Sequence, residues 1–310
     1  MSLEVDLLID SHSLVGEGPI WDADANVLWW LDIMASKLYA YDPETGENRE
    51  WDVGQHVGTV VQRASGGLML ALRDGFAAFD PASGALETLV DPEAHLPGNR
   101  FNDGKCDPAG RFWAGTMAYE DQSDQGSVYR MDTDHSVHKV IVDIGISNGI
   151  IWSLDAKTMY YTDSLDFAIR AYDYDDETGA ISNERVIISI PEEMGFADGF
   201  TIDEEGMLWV AHYGGSRVRR WNPDTATVLA EVELPTSSIT ACAFGGANLD
   251  QLYITSASFR MTDAEKAEQP HAGGFFVADV GVRGVASGTN WPNISSHYPG
   301  FLQHAEMAGG

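Results

Sequence analysis

VLWWLDIMASKLYAYDPETG, from Val27 to Gly46, decides the fold. An apolar run, VLWWLD, leads into a short polar turn. KLYAY then alternates apolar and polar residues, and DPETG brings the Asp-Pro and Thr-Gly pairs that close a turn. The same order of strand, turn, strand and turn returns in LMLALRDGFAAFDPASG (Leu68 to Gly84), FWAGTMAYEDQSDQGSVYRMD (Phe112 to Asp132) and MYYTDSLDFAIRAYDYDDETG (Met159 to Gly179). It returns again in LWVAHYGGSRVRRWNPDTA (Leu208 to Ala226) and in LYITSASFR with GGFFVADV (Leu252 to Val280). With Leu28, Leu68, Phe112, Met159, Leu208 and Leu252 as markers, the spacings are 40, 44, 47, 49 and 44 residues. Short strands repeated at that period are the signature of propeller blades. The expectation is an all-β chain, a six-bladed β-propeller of four-stranded antiparallel blades filling residues 1–310 as a single domain. The N-terminal strand is expected to complete the last blade, because closure removes an exposed edge.

Composition agrees with one sizeable core: 44% of the 310 residues are hydrophobic, and nine are Trp. The longest stretch without a strand pattern, MTDAEKAEQPHAG (Met261 to Gly273), reads as a surface loop with a helical turn. No run reaches the eighteen or so apolar residues of a membrane span. The N-terminal segment MSLEVDLLIDSHS lacks the basic and small-residue features of a secretory signal. Cys106 and Cys242 lie in different repeats and suit a reducing compartment, so a cytoplasmic location is expected. With 48 acidic against 18 basic residues the formal net charge is −30, which argues against nucleic acid and anionic membrane as partners. The acids are scattered, as in AYDYDDETG, and describe a solvated surface. Solubility explains them; so does adaptation to high salt, where screening relieves self-repulsion.

About ten residues before each marker stand Glu17, Gly58, Asn102, Asn148 and Asp198, with Ala241 or Cys242 in the sixth repeat. Equivalent positions ahead of the inner strands of a propeller lie on one ring around the axis. Glu, Asn, Asn and Asp are hard oxygen donors and suit a divalent cation such as Ca²⁺, Mg²⁺ or Mn²⁺. Any one of them alone reads as a turn-former; four in phase read as a ring. Arg100 and Asn102 are two apart and point the same way on extended backbone. Arg100 could bind substrate hydroxyls and a developing oxyanion, or pair with a neighbouring carboxylate. Asp32 and Asp163, each four residues past its marker, read as backbone anchors at blade corners. His56 and His212 read first as surface or structural histidines. The chain has no phosphate-binding Gly-Lys-Ser/Thr loop and no Cys-x-x-Cys.

The strings GEGPIWD (Gly16 to Asp22), NRFNDGK (Asn99 to Lys105), SNGIIWS (Ser147 to Ser153), YYTDS (Tyr160 to Ser164), CAFGG (Cys242 to Gly246) and GVRGVA (Gly281 to Ala286) occur in order. Together they resemble the senescence-marker-protein (regucalcin) and gluconolactonase family. The resemblance implies a propeller that binds one divalent metal on its axis and hydrolyses sugar lactones. It implies Glu17, Asn148 and Asp198 as metal ligands, Asp198 as the catalytic base, and Arg100, Asn102 and Glu120 as substrate-binding residues. The cation implied is Ca²⁺ first, with Zn²⁺, Mn²⁺, Mg²⁺ and Fe²⁺ as alternatives, and the partner is a small sugar lactone. The chain departs from the family's usual Pro-Asp-Gly-Met in having Ala197-Asp198-Gly199-Phe200. Its loop after Glu120 (DQSDQG) is shorter than in animal members, so a smaller lid is expected there. Two other readings fit the same ring: an esterase or organophosphatase on this scaffold, and a calcium-binding regulatory protein without turnover.

Overall fold

The structure, a computed structural model, describes residues 3–120 and 124–285. Its first strand, β1 (Val5–Ile9), is set apart from the strands that follow it in the chain. The first complete blade is β2 (Gly16–Asp22), β3 (Val27–Asp32), β4 (Lys37–Tyr41) and β5 (Asn48–Asp52). The second is β6 (Val57–Gln62), β7 (Leu68–Leu72), β8 (Gly75–Asp80) and β9 (Ala85–Val90). The third is β10 (Asn99–Cys106), β11 (Phe112–Ala118), β12 (Gly126–Met131) and β13 (Val137–Ile144). The fourth is β14 (Ser147–Trp152), β15 (Thr158–Asp163), β16 (Ala168–Asp175) and β17 (Ala180–Ser189). The fifth is β18 (Phe196–Ile202), β19 (Leu208–Tyr213), β20 (Arg217–Asn222) and β21 (Thr227–Glu233). The sixth is β22 (Ile239–Gly245), β23 (Gln251–Ser256) and β24 (Phe275–Asp279), and its outer edge is filled by β1, with Val5 opposite Ala278 and Leu7 opposite Phe276. The six-bladed propeller and its closure by the N-terminal strand are therefore as the repeats predict. Each blade's first strand touches the first strand of the next, β22 against β2 included, so the ring is continuous.

The burial pattern follows from this geometry. Strands in the first two positions of a blade are covered on both faces by neighbouring blades, and VLWWLD in β3 and LMLAL in β7 are buried throughout. Outer strands face water on one side, as TVLAEVE in β21 does. Indole rings lock strand pairs together: the Nε1 of Trp29, Trp113 and Trp209 donates to Asp22, Asp107 and Asp203 at 3.1, 2.9 and 2.9 Å. The turns joining third and fourth strands repeat one solution. The residue opening each turn accepts a backbone N–H from the one closing it: Asp42 from Gly46, Asp80 from Gly84, Asp175 from Gly179 and Asn222 from Ala226. All four closing residues have positive φ, which glycine takes without strain and Ala226 tolerates at 53°. The predicted excursion in the last blade carries a short helix, α1 (Asp263–Glu268), started by a Thr262–Glu265 capping box.

Candidate active site on the propeller axis

The site begins with a backbone irregularity present in every first strand. Pairing to the second strand slips between Glu17 and Ile20, Val57 and Thr59, Phe101 and Gly104, Asn148 and Ile150, Ala197 and Phe200, and Ile239 and Ala241. A bulge re-aims a side chain and leaves local backbone unpaired, and bulges gather beside active sites. The register identifies the equivalent residues. Gly16, Val57, Phe101, Ser147, Ala197 and Ile239 pair with the residues four past the markers, so the next residue in each strand is the ring position. Those six are Glu17, Gly58, Asn102, Asn148, Asp198 and Thr240. The sixth is Thr240 and not Ala241 or Cys242, because it lies twelve residues before its marker where the others lie ten or eleven. Gly58 is glycine for a steric reason, since a Cβ there would lie 2.5 Å from the Phe101 carbonyl.

The ring side chains are buried at 4% exposure for Glu17 and Asn148 and 7% for Asn102 and Asp198. Their hydrogen bonds run in one direction. Arg100 Nη1 donates to Asn102 Oδ1 (2.7 Å) and Asn102 Nδ2 to Asn148 Oδ1 (3.0 Å). Asn148 Nδ2 then donates to Ser164 Oγ (2.8 Å), whose proton goes to the Ala197 carbonyl (2.6 Å). Thr240 turns its hydroxyl to the Gly16 carbonyl at 2.5 Å and so ties the first and sixth blades together.

Electrostatically the ring holds more negative charge than burial tolerates. Burial, with Asp103 adding to it, pushes the Glu17 carboxyl up to about 8. Burial and then Glu17 push Asp198 well above the usual carboxylate range. Asp103, whose Asp-Gly pair reads from sequence as a turn, lies instead within β10, and its carboxyl is itself raised by burial. Asp198 Oδ1 is buried with no hydrogen-bond partner among the described residues, an arrangement that normally costs stability. No group of three or more His, Cys, Asp or Glu side chains gathers as a metal site among the described residues. The donor set here is two carboxylates with an amide oxygen, and with one carboxylate oxygen lacking a donor it fits a hard divalent cation. A small pocket is lined by residues of five blades, among them Gly18, Thr59, Asp103, Lys105, Phe200 and Cys242. Lys105 Nζ donates there to the Phe200 carbonyl at 3.1 Å, and burial lowers its pKa.

The other residues singled out by sequence fall as follows. Arg100 is buried next to Asn102, its guanidinium 5.8 Å from the Tyr119 ring centre. Tyr119 is held in turn by His56, whose Nδ1 lies 2.6 Å from the phenol oxygen. Neither half of that pair showed in the repeat pattern, because the two sit on loops from different blades. Glu120 is exposed at the rim beside Tyr119; the first residues of the loop after it, 121–123, lie outside the described residues, as does Ala286 of the closing string. His212 is structural: fully buried, it accepts from Trp221 Nε1 at 3.3 Å, and burial pushes its pKa down to about 3. Asp32 accepts backbone N–H groups of Leu14, Val15 and Ala35, and Asp163 those of Gly145, Ile146 and Leu165, as blade-corner anchors. Phe200 is buried with its ring against Gly149, where a Cβ would lie 2.0 Å from it.

The model of the family described as SMP-30/gluconolactonase/LRE-like region matches residues 15–258. Regucalcin of Xenopus laevis is 40% identical over 291 residues, covering 92% of this chain and 97% of that protein. A Bacillus subtilis (strain 168) protein named "Putative sugar lactone lactonase YvrE" is 38% identical over 278 residues, covering 90% and 95%. Among solved structures, a calcium-binding protein, regucalcin, from Agrobacterium tumefaciens str. C58 superposes with a TM-score of 0.89 at 29% identity, covering 93% of this chain and 97% of that one.

Proposed function

This chain belongs to the SMP-30/gluconolactonase/LRE-like family, and from that premise we propose that it is a metal-dependent lactonase opening sugar lactones to aldonic acids. The observation that carries the reading is the convergence of Glu17, Asn148 and Asp198 on one ring position, each beside a bulge, with Arg100 hydrogen-bonded to Asn102 and Asn102 to Asn148. Glu17, Asn148 and Asp198 would hold the cation, and the chemistry it supplies when bound is Lewis-acid polarisation of the lactone carbonyl. Asp198 takes a proton from the attacking water. The water oxygen bonds to the carbonyl carbon, the bond from that carbon to the ring oxygen breaks, and the ring oxygen leaves with a proton as the sugar hydroxyl. The carboxylic acid formed ionises, so each turnover releases one proton. Arg100 and Asn102 hold substrate hydroxyls or the developing oxyanion, and Glu120 accepts from a further hydroxyl.

A proton-release assay on a panel of sugar lactones, an unsubstituted lactone and an aryl ester, with and without chelator, tests this. A site lined to bond hydroxyls disfavours an analogue lacking them, because its own polar groups then go unpaired. Sugar lactones should exceed the unsubstituted ring in kcat/KM by at least about tenfold, or ~1.4 kcal/mol. Chelation should abolish turnover, and Arg100→Ala should erase most of the preference while leaving Ca²⁺ affinity nearly unchanged. A better rate on the aryl ester would remove the sugar-lactonase reading. Ca²⁺ binding with no turnover on any substrate would favour the calcium-binding role that the regucalcin name gives to relatives.

A further inference from the structure

The hydrogen-bond relay across the ring ends on a residue that belongs to neither the cation set nor the substrate set. Ser164 is 4% exposed and opens the turn after β15. Its place is fixed twice: its own N–H donates to the Ile146 carbonyl at 3.0 Å, and the preceding Asp163 caps the turn by accepting from Leu165. A hydroxyl has one proton to give, and Ser164 gives it to the carbonyl of Ala197, the residue before Asp198. Towards Asn148 it can then act only as an acceptor, so the Asn148 amide must turn Nδ2 to Ser164 and Oδ1 to the opposite side, where Asn102 Nδ2 meets it. Asn148 and the strand bearing Asp198 come from different blades and share this one oxygen.

We propose that Ser164 is a positioning residue for the cation site: it locks the amide of Asn148 with the oxygen turned towards the ring. The proposal rests on the metal-centre reading above, but not on lactone turnover. Without the hydroxyl, Asn148 Nδ2 loses its acceptor and the amide is held at one edge only, free to rotate about its terminal torsion. Residues that orient ligands from behind typically contribute 10–100-fold in metal affinity.

The test is calorimetric Ca²⁺ titration of chelator-stripped protein, with the lactone assay run separately so that failure of the activity reading is seen on its own. Ser164→Ala should weaken Ca²⁺ at least about tenfold. Ser164→Cys keeps a single γ atom but replaces the oxygen with a larger, poor acceptor; it should lower affinity in the same direction, and it carries the test should the alanine variant fail to fold. The decisive arm is the Asn148→Asp background. A carboxylate presents an oxygen whichever way it turns, so there the penalty of Ser164→Ala should shrink below about threefold, a coupling that a double-mutant cycle isolates. Wild-type affinity in Ser164→Ala, within twofold, overturns the proposal. So does an undiminished penalty in the Asn148→Asp background, which would mean that Ser164 acts through Ala197 alone. A wild-type protein that takes up no Ca²⁺ removes the cation site and the proposal with it.

Discussion

Single residues divide here by what burial does to their charge. Asp198 and Glu17 are both raised by burial, yet the proposed chemistry asks different things of them. Asp198→Asn should lower kcat by about 10²–10⁴-fold, the usual contribution of a general base, at saturating Ca²⁺. Glu17→Gln should chiefly weaken Ca²⁺, with turnover returning as the ion is raised; an Asp198→Asn enzyme of normal kcat would take Asp198 out of the mechanism. His212 makes a separate prediction. Its ring stays neutral in the fold down to about pH 3, whereas in the unfolded chain it takes a proton near pH 6.5. The unfolded state therefore binds more protons in that window, so stability contributed by the neutral ring is complete above about pH 6.5 and lost on acidification, at about 1.4 kcal/mol per pH unit. Urea unfolding at pH 7 and pH 5 should show a smaller loss for His212→Gln than for wild type, and equal losses would contradict this. The ring carboxylates and amides could be read from the chain because each lies ten or eleven residues before its marker. Thr240 lies twelve before its own and escaped that count. Asp103, Ser164 and the His56–Tyr119 pair escaped because their roles come from loops and bulges meeting across blades, which no spacing within one repeat encodes.

At the scale of elements, periodicity carried more. Strands in the inner half of each blade are apolar on both faces, so their sequence signal is a continuous run, and all six runs mark a second strand. The bulges were invisible: the strand continues through Gly18-Pro19, Asn148-Gly149 and Asp198-Gly199 with its register slipped, and nothing in the apolar pattern marks the slip. Corner aspartates were legible because their distance from the marker is constant. Asp32 is 3% exposed and accepts three backbone N–H groups, two of them from the segment that joins β1 to β2. Asp32→Ala strands those donors, at a cost of about 2–4 kcal/mol. Thermal unfolding should move down by on the order of 5–10 °C. KM at a permissive temperature should hold, since Asp32 belongs to the corner of its blade and not to the ring. A variant melting within a degree of wild type would show that water replaces the carboxylate without loss.

For the whole molecule the dominant quantity is the net charge of −30. Many arginines are already committed to ion pairs, among them Arg111 with Asp107, Arg130 with Asp132 and Arg220 with Asp203, so the excess acid is left facing solvent. Some of it is local architecture: Asp80 and Asp134 accept the hydroxyls of Ser83 and Ser136 and then backbone N–H groups, Asp42 accepts backbone N–H groups of its own turn, and those bonds hold their carboxyls below the usual range. The rest repels itself. Raising KCl from about 10 mM to about 1 M shortens the Debye length from about 30 to about 3 Å, and the melting temperature should rise by several degrees if self-repulsion is what salt relieves. A flat response would leave solubility as the reason for the acids.

The closure of the sixth blade has a consequence in time. Val5 pairs with Ala278, so β1 and its partner are separated by 273 residues of chain. At about 5–20 residues per second, a ribosome delivers β24 roughly 15–55 s after β1. Five blades have all their strands by then, and each can assemble as its own four strands emerge. β1 alone must wait, unpaired and with Leu8 and Ile9 uncovered, until the other strands of the propeller have been made. Of the propeller's strands, the first made is the last to find its neighbour, and the ring exists only from that moment.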